Sequence, residues 1–228
     1  MFKSLINLFY PKICYACNNV LTDNENGICT VCRHELPVTN YHLEDNNQVE
    51  KVFFGRIKII HATSLFWFQK KGMVQQLLHN LKYRGHEEIG KILGQWLGYE
   101  LKNSSKFKDI DLVIPVPLHK SRQRKRGYNQ VAKFAQEIAN QLDALYVDYI
   151  LVKTIPTKTQ VFKTRFSRWD DSKAMFNLKH SEELKGKHIL LVDDIITTGA
   201  TIESCANVLL NHKFNKDIKI SVATMAIA

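Results

Sequence analysis

The chain has 228 residues, enough for one large domain or one full domain with a smaller companion at about 150 residues per domain. Hydrophobic residues make up 45% and charged residues 24%, which excludes a wholly disordered, collagenous or low-complexity protein. The formal net charge of +10 is unevenly spread: residues 1–50 carry −3, residues 51–168 carry +14 and residues 169–228 carry −1. An electropositive middle suits a polyphosphate or nucleic-acid partner, and equally an ordinary solubilising surface. No run approaches the roughly 18 consecutive apolar residues of a membrane span, and the apolar start is too short for a secretory signal. A cytoplasmic protein with no transmembrane segment is expected.

In chain order, Phe2, Leu5, Ile6 and Phe9 fall at i, i+3, i+4 and i+7 and predict a short amphipathic helix that stops at Pro11. With so few cations it suits docking onto the protein's own body better than peripheral contact with the inner face of a membrane. Next, Cys14-x2-Cys17-x11-Cys29-x2-Cys32 gathers four of the five cysteines into nineteen residues. Each Cys-x2-Cys turn presents two thiolates on one side of a tight loop, and two such loops build the tetrahedral sulfur cage of a structural zinc ion (Zn2+). Disulfides are the alternative, against which a reducing compartment weighs. Cys205 reads as a small buried apolar residue. The polar run 40–50 reads as a linker, which divides the chain into a zinc module over residues 1–40, a linker over 41–51 and a main domain over 52–228.

The main domain alternates strand and helix patterns. A strand-like run over 58–68 precedes a helix over 72–83, with Met73, Leu77, Leu78 and Leu81 on one face and Gly85 past its end. Ile89, Ile92, Leu93, Trp96 and Leu97 mark a second helix. A buried strand over 111–116, a basic loop, a helix over 129–142 and a strand over 146–152 follow, then a long connection over 153–178 with no clear period. A strand over 189–192, a helix over 201–212 and a strand over 218–226 complete an α/β chain, whose parallel sheet should carry helices on both faces.

The sharpest motif is Ile189-Leu190-Leu191-Val192-Asp193-Asp194-Ile195-Ile196-Thr197-Thr198-Gly199-Ala200-Thr201. Ligands of parallel sheets bind beyond the carboxyl ends of the strands, which puts Asp193 and Asp194 at the mouth of a site. Thr197, Thr198, Gly199, Ala200 and Thr201 supply hydroxyls, successive N–H groups and a helix N-terminus, together a cradle for a phosphate. Carboxylates would repel that phosphate if they touched it. They fit sugar hydroxyls instead, so the ligand should be a ribose carrying a 5-phosphate. A plain strand-to-helix turn is the bland alternative, and the absence of a Walker A loop argues against a P-loop NTPase.

This run resembles the 5-phosphoribosyl 1-pyrophosphate (PRPP) signature of type I phosphoribosyltransferases, departing from it at Ala200, where many members have Gly. With Leu81-Lys82-Tyr83-Arg84-Gly85, Pro115-Val116-Pro117-Leu118-His119, Arg126-Gly127-Tyr128-Asn129-Gln130 and the paired Cys-x2-Cys turns in this order, the whole chain resembles the competence ComF family. The resemblance implies a type I phosphoribosyltransferase-like parallel sheet preceded by a small four-cysteine zinc module. It also implies a role in handling transforming DNA, with DNA-uptake machinery proteins as partners.

By the same resemblance PRPP binds with Mg2+, and its pyrophosphate falls to Arg126 and Gly127, the first through a planar bidentate guanidinium and the second by letting the backbone approach. Lys120, Arg122, Arg124 and Lys125 extend this to five cations in seven residues, serving PRPP, a nucleic-acid backbone or merely solvent. The connection over 153–178 takes the place of the hood that covers the acceptor. There Arg165, Arg168 and Trp169 suit base stacking and phosphate pairing, while Asp171 stands where the family usually has Asn.

Two functions compete. One is single-stranded DNA handling with PRPP as a ligand or regulator; the other is an active phosphoribosyltransferase that passes phosphoribosyl to a base or amine, for which no acceptor pocket or general base is identifiable. The charged middle segment favours the first.

Overall fold

The computed structural model describes residues 11–154, 175–212 and 217–228. The expected N-terminal helix and Arg165, Arg168, Trp169 and Asp171 lie outside them. The elements are α1 (Thr30–Glu35), α2 (Gln48–Lys51), β1 (Ala62–Trp67), α3 (Met73–Tyr83), α4 (Glu88–Asn103), β2 (Leu112–Pro115), α5 (Lys120–Arg126), α6 (Ala132–Leu142), β3 (Leu145–Tyr146), β4 (Leu151–Lys153), β5 (Phe176–Leu178), β6 (His188–Ile196), α7 (Ala200–Leu210) and β7 (Lys219–Ile227).

Five strands form one parallel sheet in the order β1-β7-β6-β2-β3. The chain moves from β2 through α6 to β3 in one direction, and from β6 through α7 to β7 in the other. The order therefore reverses between β2 and β6, where Pro115 pairs with Val192. In a doubly wound sheet the loops diverge above such a pair and leave a crevice at the carboxyl ends.

Alternation along the buried strands feeds two cores. Val113, Leu190 and Val192 face α3, α4 and α6, meeting Leu77, Leu81, Leu93, Leu97, Phe134 and Ile138. Ile114, Ile189 and Leu191 face the other way, meeting Ile202, Cys205 and Leu209 of α7, Phe176 of β5, and Val49 and Phe53 around α2. Cys205 is fully buried, as its helical setting implied. Gly90, Gly94 and Gly98 recur every fourth residue on α4 and let α6 approach. A Cβ on Gly94 would lie 2.6 Å from the Phe134 carbonyl oxygen and 2.8 Å from Glu137 Cβ. Gly94→Val should therefore cost about 1–3 kcal/mol, the usual range for overpacking, read as a lower denaturant midpoint at unchanged slope.

Four readings change. The basic loop is a helix, α5, whose start is capped by His119 Nδ1 accepting from Ser121 N at 3.2 Å and whose end is Gly127 at φ 89°. The single strand expected over 146–152 is two: β3 pairs with β2, then the chain leaves the sheet and β4 pairs antiparallel with β5. Strand β6 runs to Ile196, past both aspartates. The run expected as a linker is packed into the body, because Asn47 donates to the carbonyls of Tyr41 and Ala62 while capping α2, and Tyr41, His42, Val49 and Glu50 are buried.

The cysteine module is likewise continuous with the main core: Cys14, Ala16, Ile28 and Leu36 share an apolar cluster with Leu77, Ile89 and Leu93. Thr39 N donates to Leu65 O at 3.0 Å and Trp67 N to Pro37 O at 2.8 Å, which ties the module to the edge strand β1.

A candidate PRPP site at the sheet crossover and a four-cysteine metal centre

The four cysteine sulfurs lie within 4.8 Å of one another. A zinc ion with Zn–S bonds of about 2.3 Å needs sulfurs about 3.8 Å apart, and Cys17 Sγ stands 3.8 Å from Cys29 Sγ. Backbone N–H groups already point at the cage, Cys29 N at Cys14 Sγ (3.3 Å) and Cys32 N at Cys29 Sγ (3.4 Å). Burial alone would push the Cys14 thiol up, but such N–H groups outweigh it and draw the thiol down to about 7, whereas burial and the neighbouring thiols push Cys32 up. Glu25 pins the second turn, accepting from Thr30 N at 2.6 Å and Thr22 N at 2.9 Å. The donor set therefore fits a structural zinc ion held by Cys14, Cys17, Cys29 and Cys32.

At the crossover, the loop after β6 is held from behind. Gly199 takes φ 71°, and a Cβ there would meet Val52 Cγ1 at 2.5 Å and a Phe53 ring carbon at 2.9 Å, so only glycine fits. Arg56 donates to Thr198 O (2.6 Å) and Val52 O (3.0 Å) and pairs with Glu203 of α7. Thr197, Thr198, Ala200 and Thr201 stay exposed at the start of α7. Sequence reasoning missed Arg56, which lies 142 residues from Thr198 in the chain.

Successive strand residues point to opposite faces, and the two aspartates obey this. Asp194 turns to the α3–α6 side, where Lys82 Nζ lies 2.9 Å and Gln130 Nε2 2.7 Å from its Oδ2. Among the described residues its Oδ1 accepts no hydrogen bond. Asp193 turns to the other side, toward Lys153 and Cys205. Burial, reinforced by the charge of Asp194, raises the Asp193 carboxyl to about 8, against the pull of the Asp194 N–H, Lys82 and Lys153. Lys153 is itself lowered by burial, with its ammonium 5.0 Å from the Phe176 ring centre and the charge of Arg122 felt there. The side-by-side carboxylate pair implied by the sequence is thus two groups on two faces of one strand.

Arg126, at the end of α5, donates to Gln130 Oε1 and lies 5.5 Å from the Tyr83 ring centre. Tyr128 donates to Leu81 O, and Asn129 Nδ2 donates to Val116 O at 3.1 Å. The Lys82, Arg126 and Asp194 motifs, far apart in the chain, thereby become one cluster at the crossover. Lys82, Tyr83 and Gln130 had no assigned role; their presence in motifs was the only signal. Gly127 takes a left-handed φ of 89°, and a Cβ there would meet no protein atom within 4 Å. Lys120, Arg122, Arg124 and Lys125 are exposed, and no acidic side chain pairs with them among the described residues.

Comparison with known proteins agrees with this architecture. The phosphoribosyl transferase domain family matches residues 132–226. Competence protein F of Haemophilus influenzae is 30% identical over 218 residues, covering 88% of this chain and 92% of its own. The chain belongs to the competence ComF family. The DNA utilization protein YhgH of Shigella flexneri, 27% identical over 220 residues, covers 90% of this chain and 93% of its own. A hypoxanthine phosphoribosyltransferase structure from Staphylococcus aureus aligns over 62% of this ComF-family chain and 74% of its own, at 15% identity and a TM-score of 0.37. No helix among the described residues is long and apolar enough to cross a membrane.

Proposed function

We propose that this protein handles incoming single-stranded DNA on the cytoplasmic side, in company with DNA-uptake proteins, and uses its phosphoribosyltransferase-type site to bind PRPP with Mg2+ as a ligand or regulator. The observation that carries the reading is the placement of α5, with five cations in seven residues, on the β2 side of the crossover opened by the 197–201 loop on the β6 side. Naming of relatives as competence and DNA utilization proteins supports it. The loop receives the 5-phosphate and Arg126 the pyrophosphate. Asp194 Oδ1 accepts from the ribose hydroxyls, and Lys82 and Gln130 hold Asp194 in place through Oδ2.

Calorimetry with PRPP and Mg2+ tests the site. Asp194→Asn, which keeps the volume beside Lys82 better than Ala would, should weaken binding by roughly 1 to 3 kcal/mol, the usual range for losing a charge-assisted partner. Unchanged affinity would remove Asp194 from the site. Pyrophosphate release measured with a panel of bases covers transferase activity: turnover with any of them would replace the regulatory role by catalysis.

A further inference from the structure

Helix α3 closes on a ring that its own fold does not use. Tyr83 is 70% exposed, while the apolar face of α3 is carried by Val74, Leu77, Leu78 and Leu81. Among the described residues the Tyr83 hydroxyl makes no hydrogen bond. The ring meets two flat groups: the Arg126 guanidinium, 5.5 Å from its centre, and the imidazole of His79 one turn earlier, 5.2 Å away and tilted by 46°. Arg126 is itself fixed by Gln130, which also holds Asp194, so the ring stands on a braced support. Its chain neighbour Lys82 reaches Asp194 directly.

An exposed aromatic held beside a guanidinium is the arrangement on which bases of a single strand stack, because every base offers a π-face and needs no sequence-specific hydrogen bond. The cations Lys120, Arg122, Arg124 and Lys125, on the same short helix as Arg126, say how the base arrives. A free base carries no charge and has no use for them, whereas a base on a phosphate chain does. We infer that Tyr83, flanked by Arg126 and His79, is a stacking platform for a base of a single strand whose phosphates lie along α5. This rests on the nucleic-acid reading above and adds to it the residue that recognises a base.

The test compares an oligonucleotide with an abasic deoxyribose-phosphate strand of equal length, using the full chain and its Tyr83→Leu and Tyr83→Phe variants. The wild type should prefer the intact strand by about tenfold, within the range measured for one stacked base. Tyr83→Leu should bind both strands as the wild type binds the abasic one, with an unchanged salt slope, since the lost contact is not ionic. Tyr83→Phe should keep the preference. The ring is exposed, so all three proteins should melt alike. A preference that survives Tyr83→Leu, or a wild type that binds both strands equally, overturns the platform and leaves nucleic-acid binding standing. A wild type that binds neither strand at low salt overturns both.

Discussion

Stripped of its metal, or carrying Cys29→Ser with Cys32→Ser, the whole chain is expected to melt at a much lower temperature in a single transition. A four-thiolate zinc site supplies about 10–16 kcal/mol of apparent folding free energy in small zinc modules, as much as the entire stability of a typical domain. If the module stood apart, that energy would be lost locally and the main domain would melt as before. The packing says otherwise. Cys14 and Cys32 belong to the same apolar cluster as Leu77, Leu81 and Ile89, and Gly27 packs with Tyr15 against Ile92 of α4. Asn80 of α3 donates to Tyr15 O at 2.9 Å, and Arg33 lies 5.3 Å from the Trp96 ring centre. Loss of the cage therefore removes one wall of the core shared by α3 and α4. Calorimetry of protein with one bound zinc, and of the double variant, decides: two transitions, the upper unchanged by metal removal, would show a separate module.

The legible parts were those whose information is local. The period of Leu77, Leu78 and Leu81 gave α3, the Cys-x2-Cys spacing gave the metal cage, and the run from Ile189 to Thr201 gave the β6 crossover loop, because each signal lies within a few turns of chain. Helix α5 was hidden for a physical reason: five cations in seven residues bury nothing, so no apolar period exists, and only the His119 cap and the Gly127 turn mark its ends. The support of the loop by Val52, Phe53 and Arg56, and of Asp194 by Lys82 and Gln130, is set by tertiary packing and leaves no mark on local pattern. The opposed directions of Asp193 and Asp194 were available in principle. Once β6 is known to continue through both residues, alternation requires them to face apart.

Replacing Lys120, Arg122, Arg124 and Lys125 together by Ala should reduce affinity for a single strand about a hundredfold or more near 0.1 M salt, and flatten the salt dependence by as much as roughly 3 in logarithmic slope. Each phosphate contact on a single strand releases condensed counterions worth about 0.7 of slope, and four contacts account for the whole drop. The substitution isolates charge from fold. These side chains bury no core surface, pair with no acid among the described residues, and sit in a helix for which Ala is the best former. PRPP with Mg2+ gives an independent reading, because Arg126 is retained in the variant and should still serve the pyrophosphate. In the wild type, saturating PRPP should lower strand affinity, since both ligands compete for Arg126 at the end of one short helix. A variant that keeps wild-type affinity and slope would reduce α5 to a solvated surface or a pyrophosphate clamp, and the strand would have to meet the cysteine module instead.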